Sequence, residues 1–213
     1  MDIWLFDHLS NTISLKFQAY RYAPIGLGPG HTNIFNSPLP FKPNSMSTLE
    51  ELELHNIFIG PELLAFLEQH KRIRILVLKN AFAGSRYTWS PHNVSWQQFF
   101  DRLVTFKLNL DKFILEVRAC FSIWEQWPEY PESALYWWYH SSDWTQTSQQ
   151  LRPRVERIRA ALKLDPHRPL FPYAFSQNGH SRHQQDYAQN CQSFELGEDQ
   201  AAYDRFMESL KHS

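Results

Sequence analysis

Cysteine is nearly missing from this chain: only Cys120 and Cys191 occur in 213 residues, far apart. That count supports neither a disulfide framework nor a zinc knuckle, so a reducing intracellular compartment, cytoplasmic or nuclear, is expected. Long apolar runs are missing too. Nothing approaches the roughly 18 uninterrupted apolar residues of a membrane span. The opening MDIWLFDHLS lacks a basic start and its apolar run stops at Asp7, so no signal peptide is expected. Charge of one sign is also lacking. With 21 basic and 22 acidic residues the net charge is −1, which gives no long-range pull toward nucleic acid or anionic lipid. Neither is an expected partner.

Catalytic signatures are equally sparse. GLGPG at Gly26 to Gly30 is not a phosphate loop: Pro29 removes an amide donor and no Lys-Ser or Lys-Thr follows. It reads as a turn-rich loop. There is no G-x-S-x-G elbow, and no carboxylate pair stands out from the surface charges. His180 and His183 stand three apart with Cys191 beyond, a spacing that a metal could use on one helical turn. Their setting, NGHSRHQQ, is polar and supplies no second cysteine, so neither a metal nor a cofactor is expected. A metal-dependent enzyme using this histidine region is the alternative from another functional class.

What is present is an echo. LEELELHNIFIG, from Leu49, aligns with IRILVLKNAFAG, from Ile73. Leu49, Leu52, Leu54, Asn56, Phe58 and Gly60 fall on Ile73, Leu76, Leu78, Asn80, Phe82 and Gly84. Pairs two residues apart share a strand face, so each copy predicts a short strand. Between them, GPELLAFLEQH has Pro61 where a first helical turn tolerates it and Leu63, Leu64 and Leu67 as an apolar stripe. The unit is strand, turn, helix.

A third copy is expected at Leu103, Phe106, Leu108 and Leu110, preceded by a helix over SWQQFFDRL. ISLKF predicts an earlier strand, KFILEV a later one, and the Pro, Gly and Asn-rich stretch between ISLKF and Leu49 a surface loop. A period in the twenties headed by L-x-x-L-x-L is the pattern of leucine-rich repeats, although the asparagine comes two residues after the last leucine instead of three. The expected fold is therefore α/β, a short irregular leucine-rich-repeat-like solenoid of parallel strands with covering helices. An α+β domain with two similar β-α units would show the same pattern.

The chain divides into an N-terminal segment (1–46), the repeats (47–118) and an aromatic and helical extension packed on them (119–213). The extension holds FSIWEQWPEYPESALYWWYHSSDW, with five of the eight tryptophans. Such rings serve as core caps or as interface anchors. Trp137 and Trp138 are adjacent, so they cannot both point inward at one angle. Two helices are expected beyond it. In SQQLRPRVERIRAALKL, Leu151, Val155, Ile158 and Leu162 recur at helical spacing, with Pro153 in the first turn. EDQAAYDRFMESL carries Tyr203, Phe206, Met207 and Leu210 on one face, its acidic residues at the start where the helix dipole favours them. The first of these helices is net basic and the chain from Asp186 onward net acidic, which predicts that the two dock.

The outward strand residues are the candidate partner-binding surface: Glu51, Glu53 and His55, then Ile75, Val77 and Lys79, then Thr105, Lys107 and Asn109, with Trp137 and Trp138 nearby. Ile75 and Val77 are apolar where solvent favours polar groups. Burying both would contribute about 3 to 5 kcal/mol. A partner or the chain's own tail is expected to cover them.

These phrases bring a family into view. Leu49 to Leu110, with FLEQH closing its helix and VLKN its strand, resembles the leucine-rich half of fungal F-box domain proteins. The tail, RPLFPYAFSQNGH followed by GEDQAAYDRFMESL, resembles their ending. The likeness spans roughly residues 47 to 212. It implies a substrate-recognition half of a ubiquitin ligase that binds a protein partner, with no catalytic residues. The F-box, which binds the ligase adaptor, is not recognisable in residues 1–46, so adaptor binding would require an F-box upstream. HSRHQQDYAQNCQSF stands where the family has an acidic run. A truncated family member without a retained partner is the other alternative.

Overall fold

The computed structural model describes residues 9, 11–19, 25–26, 39, 41–42, 45–85, 93–117, 142–176 and 183–211, the side chains of 142–150, 175–176 and 183–185 excepted. The alternating apolar pairs make strands. β1 (Ser14–Gln18), β2 (Glu51–His55), β4 (Ile75–Lys79) and β6 (Lys112–Glu116) form one sheet in that order, every pair parallel. The register sets Leu15, Leu52, Leu76 and Phe113 side by side, and next to them Phe17, Leu54, Leu78 and Leu115. Leu52, Leu54, Leu76 and Leu78 retain 0% exposure, so this face of the sheet is the core face. The circuits between equivalent positions are unequal: 37 residues from Leu15 to Leu52, 24 to Leu76 and 37 to Phe113.

The repeated asparagines turn the chain at the end of the strand. Asn56 and Asn80 have φ of 55° and 51°, a left-handed conformation that asparagine tolerates better than most side chains. The same rung recurs in three successive circuits: Ala19 N donates to His55 O at 3.0 Å, Asn56 N to Lys79 O at 2.9 Å and Asn80 N to Glu116 O at 2.7 Å. Asn56 Nδ2 adds a bond back to Ala19 O at 2.9 Å, so the early asparagine still ties one circuit to another.

Past that corner a second sheet forms from β3 (Phe58–Ile59), β5 (Phe82–Gly84) and β7 (Tyr173–Ser176), all parallel, closed by antiparallel β8 (His183–Gln185). The aligned glycines are places of close approach. A Cβ on Gly60 would lie 2.8 Å from Gly26 O, and one on Gly84 2.6 Å from Asn93 Oδ1. The slot beside β5 is filled by β7. The tryptophan-rich stretch falls between β6 and β7 in the sequence, and its Trp137 and Trp138 lie outside the described residues.

Helices cover the core side. α1 (Pro61–Gln69) starts with Pro61 in its first turn and buries Leu63, Leu64, Phe66 and Leu67. α2 (Trp96–Phe106) opens on a capping box between Ser95 and Gln98 and buries Trp96, Phe99, Phe100, Leu103 and Phe106. α3 (Ser142–Leu164), α4 (Tyr187–Leu196) and α5 (Glu198–Leu210) follow. α5 packs on α2, where the Phe100 ring lies 5.3 Å from Tyr203, 5.7 Å from Phe171, 5.8 Å from Phe206 and 6.1 Å from Phe113 between centroids.

Two expectations are corrected. The third strand is not at Leu103 to Leu110: Thr105 belongs to α2, Lys107 ends that helix with φ of 51°, and Asn109 lies in the connection. The capping box and the apolar positions Phe99, Phe100, Leu103 and Phe106 prolong the helical period through residues that also fit a strand spacing. The true equivalent of Leu49-x-x-Leu52-x-Leu54 is Leu110-x-x-Phe113-x-Leu115, and KFILE is its strand. Pro153 also lies inside α3 instead of opening it, because the helix begins at Ser142.

Candidate functional site

Parallel register arranges the outward residues of the first sheet in three rows. The first holds Ser14, Glu51, Ile75 and Lys112, the second Lys16, Glu53, Val77 and Ile114, the third Gln18, His55, Lys79 and Glu116. The expected residues Glu51, Glu53, Ile75, Val77 and Lys79 therefore share one face. Lys107 does not join it. Lys112, Ile114 and Glu116 take the places expected for Thr105, Lys107 and Asn109, and the Leu110-x-x-Phe113-x-Leu115 spacing was the signal for them.

Glu53 is the electrostatic centre of the face. Its Oε1 accepts from His55 Nε2 at 2.5 Å and pairs with Lys16 Nζ and Lys79 Nζ, each at 3.1 Å. Hydrogen bonding from His55, then from Lys16 and Lys79, holds its carboxyl at about 2, against burial that works to raise it. The carboxylate thus stays ionised and pins a lysine from each of the two flanking strands. In the first row Ser14 Oγ donates to Glu51 Oε2 at 3.0 Å. Beside this polar half lies an apolar one. Ile75 and Ile114 are half-buried, while Val77 between them is only 8% exposed. Within the chain Val77 is nearly sealed, whereas Ile75 and Ile114 keep part of their surface exposed.

A second carboxylate sits where the tail closes on α2. Asp199, in the first turn of α5, is 4% exposed. It accepts from Gln97 N at 2.8 Å, from the Tyr173 hydroxyl at 2.9 Å and from the Ser193 hydroxyl. It therefore satisfies a free amide at the N-terminus of α2 while anchoring β7 and α4. Burial raises its pKa although all three donors oppose the shift. Tyr173, buried beside it, is raised as well, first by burial and then by the charge of Asp199. Asp186, also buried, accepts from the Ser85 hydroxyl and from Gln189 N at 2.9 Å.

The basic helix docks on the acidic tail through apolar packing of Leu151, Val155 and Ile158 with Cys191, and through ion pairs to Glu195. Glu195 on α4 meets Arg154 at 2.7 Å and Arg157 at 3.2 Å, both on α3. Asp186 and Asp199 instead face neutral donors. His180 lies outside the described residues, and His183 is on β8. Cys191 is buried, and burial pushes its thiol up to about 11, far from a reactive thiolate. Among the described residues no group of three or more His, Cys, Asp or Glu side chains could hold a metal ion, and no helix is long and apolar enough to cross a membrane.

In comparisons with known protein families, curated proteins and solved structures, none matches this chain.

Proposed function

We propose that this chain is a protein-interaction module, a short irregular leucine-rich-repeat-like solenoid whose outward strand face receives a protein partner. The observation that carries the reading is the second row, Lys16, Glu53, Val77 and Ile114, a fixed charged cluster running straight into apolar side chains on the face opposite the core. An apolar centre edged by ordered charges suits protein recognition, with Ile75 and Ile114 giving burial and the cations around Glu53 giving register. Recurrence of the same corner rung in three circuits supports the solenoid.

The resemblance to the substrate-recognition half of fungal F-box proteins suggests that the partner is a protein recruited for ubiquitination. Adaptor binding would then come from an F-box that residues 1–46 do not display.

The test is paired capture from native cells with the tagged wild type and with a chain carrying Ile75→Asp and Ile114→Asp. Both substitutions fall on half-buried outward positions, so the variant should keep its circular dichroism and urea midpoint while losing the specific partner. Equal recovery of the same proteins by a folded variant would remove this face from the function.

A further inference from the structure

The tail junction holds two amide groups whose orientations are settled and whose other ends are left over. Asn190, on α4, is 7% exposed, and its Oδ1 accepts from Tyr173 N at 2.6 Å. Turning the amide over would set an NH2 group against that N–H, donor against donor, so Nδ2 must lie on the other side. Gln200, on α5, donates from Nε2 to Asp204 Oδ1 at 2.8 Å. Turning it would press a carbonyl oxygen against a carboxylate, so its Oε1 is fixed as well. Asn190 Nδ2 and Gln200 Oε1 are both buried and both without a hydrogen-bond partner. One is a pure donor and the other a pure acceptor.

Both residues line the same cavity, about 20 Å³ in volume, between α4, α5 and the segment leading into β7, walled on its apolar side by Ile158, Phe171 and Phe194. A water needs at least about 10 to 15 Å³ of such space and two or more polar partners. We propose that this cavity is a binding site for one structural water, accepting from Asn190 Nδ2 and donating to Gln200 Oε1. Water is the molecule of this size that does both at once. It completes a chain from Asp204 through Gln200 and Asn190 to the backbone of Tyr173, and so joins the closing helix to the second sheet. The site does not depend on the proposed partner face.

The test uses the whole chain, in a high-resolution crystal structure and in water-selective NOE spectra of the labelled protein. The expected result is an ordered water within about 3.2 Å of both atoms and a direct NOE from water to the Asn190 side-chain amide, abolished in Gln200→Met. Side chains that collapse onto each other with no water between them would overturn the site, as would an Asn190 amide with no NOE to water. If Gln200→Met does not fold, the wild-type crystal and NOE decide alone. A folded Gln200→Met that keeps the same NOE would also overturn it.

Discussion

Glu53 and Asp199 are carboxylates with three hydrogen-bonding partners each, and their pKa values move in opposite directions. Glu53 keeps contact with solvent and meets Lys16, Lys79 and His55; Asp199 is sealed among a backbone amide and two hydroxyls. Counting hydrogen bonds would rank them alike. What separates them is whether the partners carry charge and whether water remains to solvate the ion. The first arrangement is a surface device that sets a pattern of charge, and the second is a structural lock.

The comparison breaks most readily at Asp199. Asp199→Ala removes the acceptor of one buried and two partly buried donors and should cost about 3 kcal/mol or more, since each unsatisfied group costs about 1 to 3; urea denaturation measures it. Asp199→Asn keeps an acceptor oxygen and should cost less than half as much. Equal losses in the two variants would show that packing, not acceptance, is what matters there.

The two sites should also diverge with pH. Asp199 has a raised folded pKa, so protonation favours the folded state. Its contribution is fully present below the ordinary value of 3.8 and is lost as pH rises through the folded value. Wild type should therefore gain on Asp199→Asn as pH falls from neutral. Glu53 is lowered, so its contribution is present above the ordinary value of 4.5 and fades as pH falls toward about 2. Wild type should lose its advantage over Glu53→Gln across that interval. Parallel slopes for the two pairs in acid unfolding curves would contradict the contrast.

Smallest is the neutral-pH effect of Glu53→Gln, about 1 kcal/mol at low salt and less at high salt, because the pairs are partly exposed. Thermal melts at two ionic strengths measure it. A larger loss that salt leaves untouched would move Glu53 into the structural class.

Much of the frame was legible because alternation is a local rule. Leu52 with Leu54 and Leu76 with Leu78 announce their strands without reference to anything distant, and Pro61 marks the start of α1. KFILEV was legible as a strand too, but not as the third copy of the echo, because Phe106, Leu108 and Leu110 alternate as a strand would while Ser95 and Gln98 commit the preceding stretch to a helix. Of the expected face, Glu51, Glu53, Ile75, Val77 and Lys79 were visible from the echo. Lys112, Ile114 and Glu116 needed the longer circuit to be recognised first. Asp199 was hidden for a different reason. An acidic residue in the first turn of a helix reads as a solvated charge favoured by the dipole of its own helix, and nothing local says that another helix begins beside it.

The unequal circuits carry one more implication. By loop-closure entropy alone, lengthening a circuit from 24 to 37 residues costs only about 0.4 kcal/mol. A slip of one residue in register would instead turn every leucine of a strand toward water. Mutation is therefore free to add or remove residues between the strands while the paired positions hold still.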